Sequence, residues 1–202
     1  RYSDYTIREY IRNFIMSKLE ANTIDTVSGT TNLVIGSTNS STVTFENGAV
    51  TGHMYPAFQA NLSSDQSGIS DATTALVQLN NTELDTNSAF NTSTYTFTCP
   101  VAGKYFVYAK TTVLSSNTAR EHQTYVYKNG SAILTNQLVF IGGTPIINDG
   151  SNFSGAQTSG IVNLAVNDTL QLYGKMNTTS GATFTFSSGI VHTTLGAYRI
   201  GA

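Results

Sequence analysis

Charge is what this chain lacks most. Asp, Glu, Lys and Arg make up 11% of its 202 residues, where a quarter is usual, and Ser, Thr and Asn fill about a third of it instead. A surface built that way is solvated by hydroxyls and amides rather than ions. The formal net charge of −2 gives no electrostatic case for a nucleic acid or an anionic membrane as partner. No apolar run approaches the ~18 residues that a membrane-spanning helix needs. Cysteine is limited to Cys99, which excludes an intrachain disulfide and reads as a small hydrophobe on a buried strand. Stability must therefore come from packing or from association of chains.

Catalytic signatures are missing too. The sequence has no Gly-x-Ser-x-Gly elbow and no phosphate-cradling glycine loop with its lysine. His53, His122 and His192 stand apart, without the spacing of a zinc site. Arg120-Glu121-His122 reads as an exposed polar turn between strands. Glu83 and Asp85 share one face of an extended segment and read as turn carboxylates near a strand end, although such a pair also suits a glycosidase. No catalytic residue and no organic cofactor is expected.

Of what is present, residues 1–21 differ from everything that follows. Ile7, Tyr10, Ile11, Phe14, Ile15 and Leu19 repeat at i, i+3, i+4 and i+7, which predicts one amphipathic helix. Asp4 is placed to pair with Arg8, one turn on. A short helix of this kind is marginal alone in water, so it should dock on something. Its polar face mixes both charge signs, which argues against a membrane surface; it could dock on its own domain, but its terminal place and distinct composition favour an anchor bundled with its own copies or seated in another protein. Residues 22–55 are different again: short runs such as Thr42-Val-Thr-Phe45, punctuated by Gly29, Gly36, Gly48 and Gly52. They read as a β connector, and they resemble stretches of phage fibres in which three chains wrap round one another.

From residue 56 a turn-and-strand rhythm sets in. Phe58, Ala60 and Leu62 alternate with Ala57, Gln59 and Asn61, Ala75, Val77 and Leu79 with Thr74, Leu76 and Gln78, and later Leu170, Leu172 and Met176 share a face opposite Thr169, Gln171, Tyr173 and Lys175. About ten short strands without helical pattern between them predict an all-β sandwich or jelly roll over residues 56–202. Lys128-Asn-Gly130 supplies a hairpin turn. The closing strand beside the first is either 183–191 or 192–200. The densest signal lies at residues 95–114, where an alternating strand meets a Pro100 to Gly103 corner and then a segment apolar on both faces. A strand of that kind is central in a sheet or packed inside an assembly.

The residues at that corner carry a resemblance. Asp85, Phe90 and Phe97, with the string Phe97-Thr-Cys-Pro-Val-Ala-Gly103-Lys-Tyr105, resemble the signature of the complement C1q-like globular domain, a jelly roll related to tumour necrosis factor. Val126-Tyr-Lys-Asn-Gly130 and Ser159 to Asp168 agree further on. The family favours aromatics where Leu79, Val107 and Ala109 stand here. The resemblance implies a homotrimer with strands facing a threefold axis, and Tyr105, Val107, Tyr125 and Tyr127 are the candidates for that interface. It also implies that carboxylates such as Glu83 and Asp85 could hold calcium, the one metal that enters the reading.

Loops 115–122 and 142–154 then become the candidate receptor contacts, through Asn117, Arg120, His122, Asn152 and Phe153. The expectation that follows is a non-enzymatic virion protein of a phage: anchor helix docked on other virion proteins, connector, and trimeric C1q-like head at the virion surface, binding a host glycan or protein. A capsid decoration protein and a secreted C1q-like binding protein are the alternatives.

Overall fold

A computed structural model describes residues 56–115, 119–139 and 152–201. The expected anchor helix with Ile7, Tyr10, Ile11, Phe14, Ile15 and Leu19, the connector 22–55 and Asn117 lie outside the described residues. The described chain forms thirteen strands: β1 (Ala57–Asn61), β2 (Gln66–Ile69), β3 (Ala75–Leu76), β4 (Asn81–Asp85), β5 (Phe90–Asn91), β6 (Thr96–Thr98), β7 (Gly103–Ser115), β8 (Ala119–Lys128), β9 (Ser131–Val139), β10 (Asn152–Leu164), β11 (Thr169–Thr178), β12 (Phe184–Phe186) and β13 (Thr194–Gly201). The count exceeds the expected ten because five of these, β2, β3, β5, β6 and β12, are two to four residues long. Runs so short leave no periodicity to read.

The strands form two antiparallel sheets. The first runs β2-β12-β7-β13-β1-β4, with β10 on the other edge of β7; the second runs β5-β6-β11-β8-β9, with β3 beside β11. β7 is the axis of the first sheet: β10 pairs with it along its whole length, and β13 and then β12 share its opposite edge. Of the two candidates for closing strand, the later one holds: β13 pairs with β1, Phe58 opposite Ala197. The β8–β9 hairpin turns at Asn129 and Gly130, both at positive φ, the geometry that favours Asn-Gly in a two-residue turn.

Alternation decides what is buried. Along β11 every second residue is buried, and Leu170, Leu172 and Met176 are fully so; each contributes about 1.5–3 kcal/mol through burial. At one end of the core, Phe58 stacks on Phe97 at 4.3 Å and on Phe90 at 5.3 Å, and Phe97 meets Tyr105 edge-on at 6.2 Å. The residues that carried the family resemblance are thus an aromatic plug with its corner. Tyr105 donates its hydroxyl to Val101 O at 2.6 Å, and Cys99 is buried beside it. Burial, with the Cys99 hydrogen bond, raises the Tyr105 phenol well above its ordinary value. Gly103 closes the corner at φ +153°, where a Cβ would lie 2.3 Å from Gly201 O. Asp85 holds the β4–β5 turn, its carboxylate accepting the N–H groups of Ala89 and Phe90, both at 2.9 Å.

Candidate functional site

The outer face of the first sheet is the surface that calls for explanation. Its residues follow from the register of β7, β13, β1 and β10. Tyr198 lies opposite Phe106 and Ala57, Gly196 opposite Tyr108 and Gln59, and Ile161 and Ser159 sit across from Phe106 and Tyr108. Tyr198 is 46% exposed and Ile161 64%. Phe106 lies 5.5 Å from Tyr198 and 6.4 Å from Tyr108, ring centre to ring centre. A side chain at Gly196 would place its Cβ 2.3 Å from the Tyr108 ring. That glycine is what lets the ring lie down across β13. Burial, and then the neighbouring Tyr198, raise the Tyr108 phenol above its ordinary value. Among these paired positions the ionisable side chains on β7 are Lys104 and Lys110, about 20 Å apart along the strand. Between them the face is aromatic, aliphatic, hydroxyl or amide, without a charge.

The outer face of the second sheet is built differently. Tyr127 stacks on Tyr173 at 4.2 Å and meets Tyr125 edge-on at 6.1 Å. Further along, Glu121 accepts from the amides of Gln123 and Gln137 and pairs with Lys175 at 3.5 Å. Gln171 donates to Thr96 Oγ1 at 3.0 Å. Rings and charges on this face already find partners within the chain.

The residues singled out from the sequence fall in several places. Tyr105 and Val107 do not face an axis: both are fully buried inside the sandwich. The parity of β7 is the reason, since successive side chains point to opposite faces and the outward set is 104, 106, 108 and 110. Tyr125 and Tyr127 are half-buried on the outer face of the second sheet. His122 is not in an exposed turn; it is a fully buried residue of β8, a strand that already begins at Ala119. Arg120 is exposed, and Asn152 and Phe153 open β10, with Phe153 half-buried. The sequence reading missed Phe106, Tyr108, Tyr198 and Ile161. A usable signal was present: Lys104 and Lys110 share the parity of Phe106 and Tyr108, and lysines are almost never fully buried unless paired.

Carboxylates do not converge. Glu83 accepts from the Asn81 amide at 2.9 Å, Asp85 is engaged in its turn, and no group of three or more His, Cys, Asp or Glu side chains is placed to share a metal ion among the described residues. Among the same residues no helix is long and apolar enough to cross a membrane.

No protein-family model and no curated protein matches the chain. Solved structures do. The chain is similar to Eiger TNF from S. frugiperda (13% identity, TM-score 0.54, covering 73% of this chain and 94% of that one). It is also similar to murine APRIL at pH 5.0 (11% identity, TM-score 0.52, covering 72% and 99%). The globular domain of the zebrafish complement 1qA protein matches at 16% identity and a TM-score of 0.43, covering 72% and 97%. At such identities the likeness is one of fold: the described residues form an all-β jelly roll like those of Eiger TNF and APRIL.

Proposed function

We propose that this chain is a non-catalytic assembly and binding module, a homotrimeric head carried at a virion surface, where it binds a host glycan or protein. The observation that carries the reading is the outer face of the first sheet. Phe106, Tyr108, Tyr198 and Ile161 converge there from three strands with no charge between Lys104 and Lys110. Apolar and aromatic area of that kind is favourable only when another surface covers it, and interface cores are enriched in aromatics. Three copies meeting through this face would multiply weak loop contacts into avidity. The virion setting is supported by the disulfide-free, hydroxyl-rich composition and by the resemblance of the sequence of residues 22–55 to stretches of phage fibres. Calcium at Glu83 and Asp85 stays part of the proposal as a ligand to be tested by titration.

The test is binding of the purified protein to host cells, with surface glycans as competitors, alongside imaging of its position on the particle. Saturable, competed binding supports the adhesive head. Particles that shed the protein yet still infect would move the assignment to capsid decoration, and a protein absent from particles would overturn the virion reading.

A further inference from the structure

At the end of the core away from the aromatic plug, buried polar groups sit beside the rings of Phe184 and Phe186. Thr111, His122 and Thr124 are fully buried, and Ser154 is 5% exposed. The imidazole of His122 sits between the sheets, with Nε2 2.8 Å from Thr111 Oγ1 on β7 and Nδ1 2.9 Å from Ser154 Oγ on β10. Thr111 Oγ1 lies 2.5 Å from Thr124 Oγ1, and Thr124 donates to the carbonyl of Ala156 at 3.0 Å. These four contacts fix every proton. A carbonyl only accepts, so the single hydroxyl proton of Thr124 points to Ala156 and Thr124 can only accept from Thr111. Thr111, having donated, accepts from His122, which must carry its proton on Nε2. Nδ1 is then bare and accepts from Ser154.

We propose that this directed chain, from Ser154 through His122, Thr111 and Thr124 to Ala156, is an acid-sensitive latch that ties β8 to β7 and β10 while His122 is neutral and is weakened when a charge is forced onto the buried ring. A second ring proton has one place to go, Nδ1, where it meets the hydroxyl proton of Ser154. Ser154 must then turn its own proton away and accept from the ring instead, which reverses that hydrogen bond. The imidazolium would also be stranded without an anion. Met176 on β11 lies directly opposite it by register, and the buried residues of the facing strands, Ala109 and Val113 on β7, Ala156 on β10 and Phe184 and Phe186 on β12, are not ionisable. The charged groups on the neighbouring elements are Arg120, which is exposed, Glu121 and Lys175 on the outer face of the second sheet, Lys110 on that of the first, and Asp71, whose carboxylate accepts from the Thr178 N–H at 2.7 Å. Burial accordingly pushes the His122 pKa down to about 4.

The sign follows from that depression. The neutral ring is favoured by folding, so the latch contributes fully above the unfolded value near 6.5 and is lost as pH falls from there towards 4. One proton linked to unfolding lowers the folded-to-unfolded ratio by up to tenfold per pH unit in that window. The test uses the full chain. Thermal and urea unfolding from pH 7.5 to 4 should show this slope, and His122→Gln, which cannot be protonated, should remove it. Nitrogen NMR of the His122 ring at neutral pH should show Nε2 protonated and Nδ1 bare, a readout that stands even if the variant does not fold. Backbone amides of residues 109–113, 121–125 and 153–157 should lose protection in the same window, while those around Phe97 and Tyr105 keep theirs. A ring protonated on Nδ1, titration of His122 near 6.5, or an undiminished slope in the variant would overturn the proposal.

Discussion

The two outer faces of this sandwich use the same residue, tyrosine, to opposite ends. On the second sheet Tyr125, Tyr127 and Tyr173 pack on one another, and Glu121 is engaged by Lys175 and two glutamines. On the first sheet Tyr108 and Tyr198 flank Phe106, Tyr198 and Ile161 remain open, and the charges stand off at Lys104 and Lys110. A face whose polar groups are satisfied within its own chain gains little from a partner. A face of open rings gains a great deal, at about 25 cal/mol for each Å² of apolar area removed from water. Composition alone does not separate the two faces; where the partners lie does.

The comparison breaks most sharply at Tyr108. A carboxylate there (Tyr108→Glu) would be buried unpaired in any assembly made through the first face, so association should weaken by at least about 100-fold, read as a fall in mass by light scattering while circular dichroism stays that of a folded sandwich. Next comes Gly196→Val. Its Cβ would collide with the Tyr108 ring and stand it upright, and association should drop by roughly tenfold, the loss of about 1.4 kcal/mol of complementarity. On the second face, Tyr127→Ala removes the stack on Tyr173 and should cost about 1–3 kcal/mol of folding stability in urea unfolding, with the mass unchanged. Glu121→Gln should be the smallest effect, under about 1 kcal/mol, since a pair at 3.5 Å that is still partly wet contributes little.

A second acid window sharpens the contrast between surface and core. Lys128 first, then Asn129 and the Ala165 N–H, hold the Asp168 carboxylate down to about 2. That group contributes stability above its ordinary value near 3.8 and loses it as pH falls towards 2. Lys128→Ala should therefore flatten the acid limb below pH 4 and leave the His122 window above it untouched, measured as melting temperature against pH.

Much of the fold was legible because alternation is local. Phe58, Ala60 and Leu62, and likewise Leu170, Leu172 and Met176, each announce a buried face within a few residues, and Asn129-Gly130 announces its hairpin. The spaced motif from Asp85 to Tyr105 was legible because its residues meet in one plug. The site was less so. Residues 105–108 are all apolar or aromatic, and such a run hides which parity faces in; a shift of one residue exchanged Tyr105 and Val107 for Phe106 and Tyr108. Tyr198 joins that face only through its register with Phe106, a long-range β7–β13 pairing that no local pattern carries. His122 misled for a related reason. Arg120 and Glu121 made its neighbourhood look wet, whereas its partners Thr111 and Ser154 come from two distant strands.

The central claim is that the ringed face of the first sheet is covered by copies of this chain. Light scattering of the purified protein across a hundredfold dilution tests it most directly. The account predicts three chain masses, held down to the lowest concentration at which the protein can be seen. A single chain mass, with Phe106, Tyr108 and Tyr198 open to a water-soluble quencher or tyrosine-modifying reagent, would contradict it.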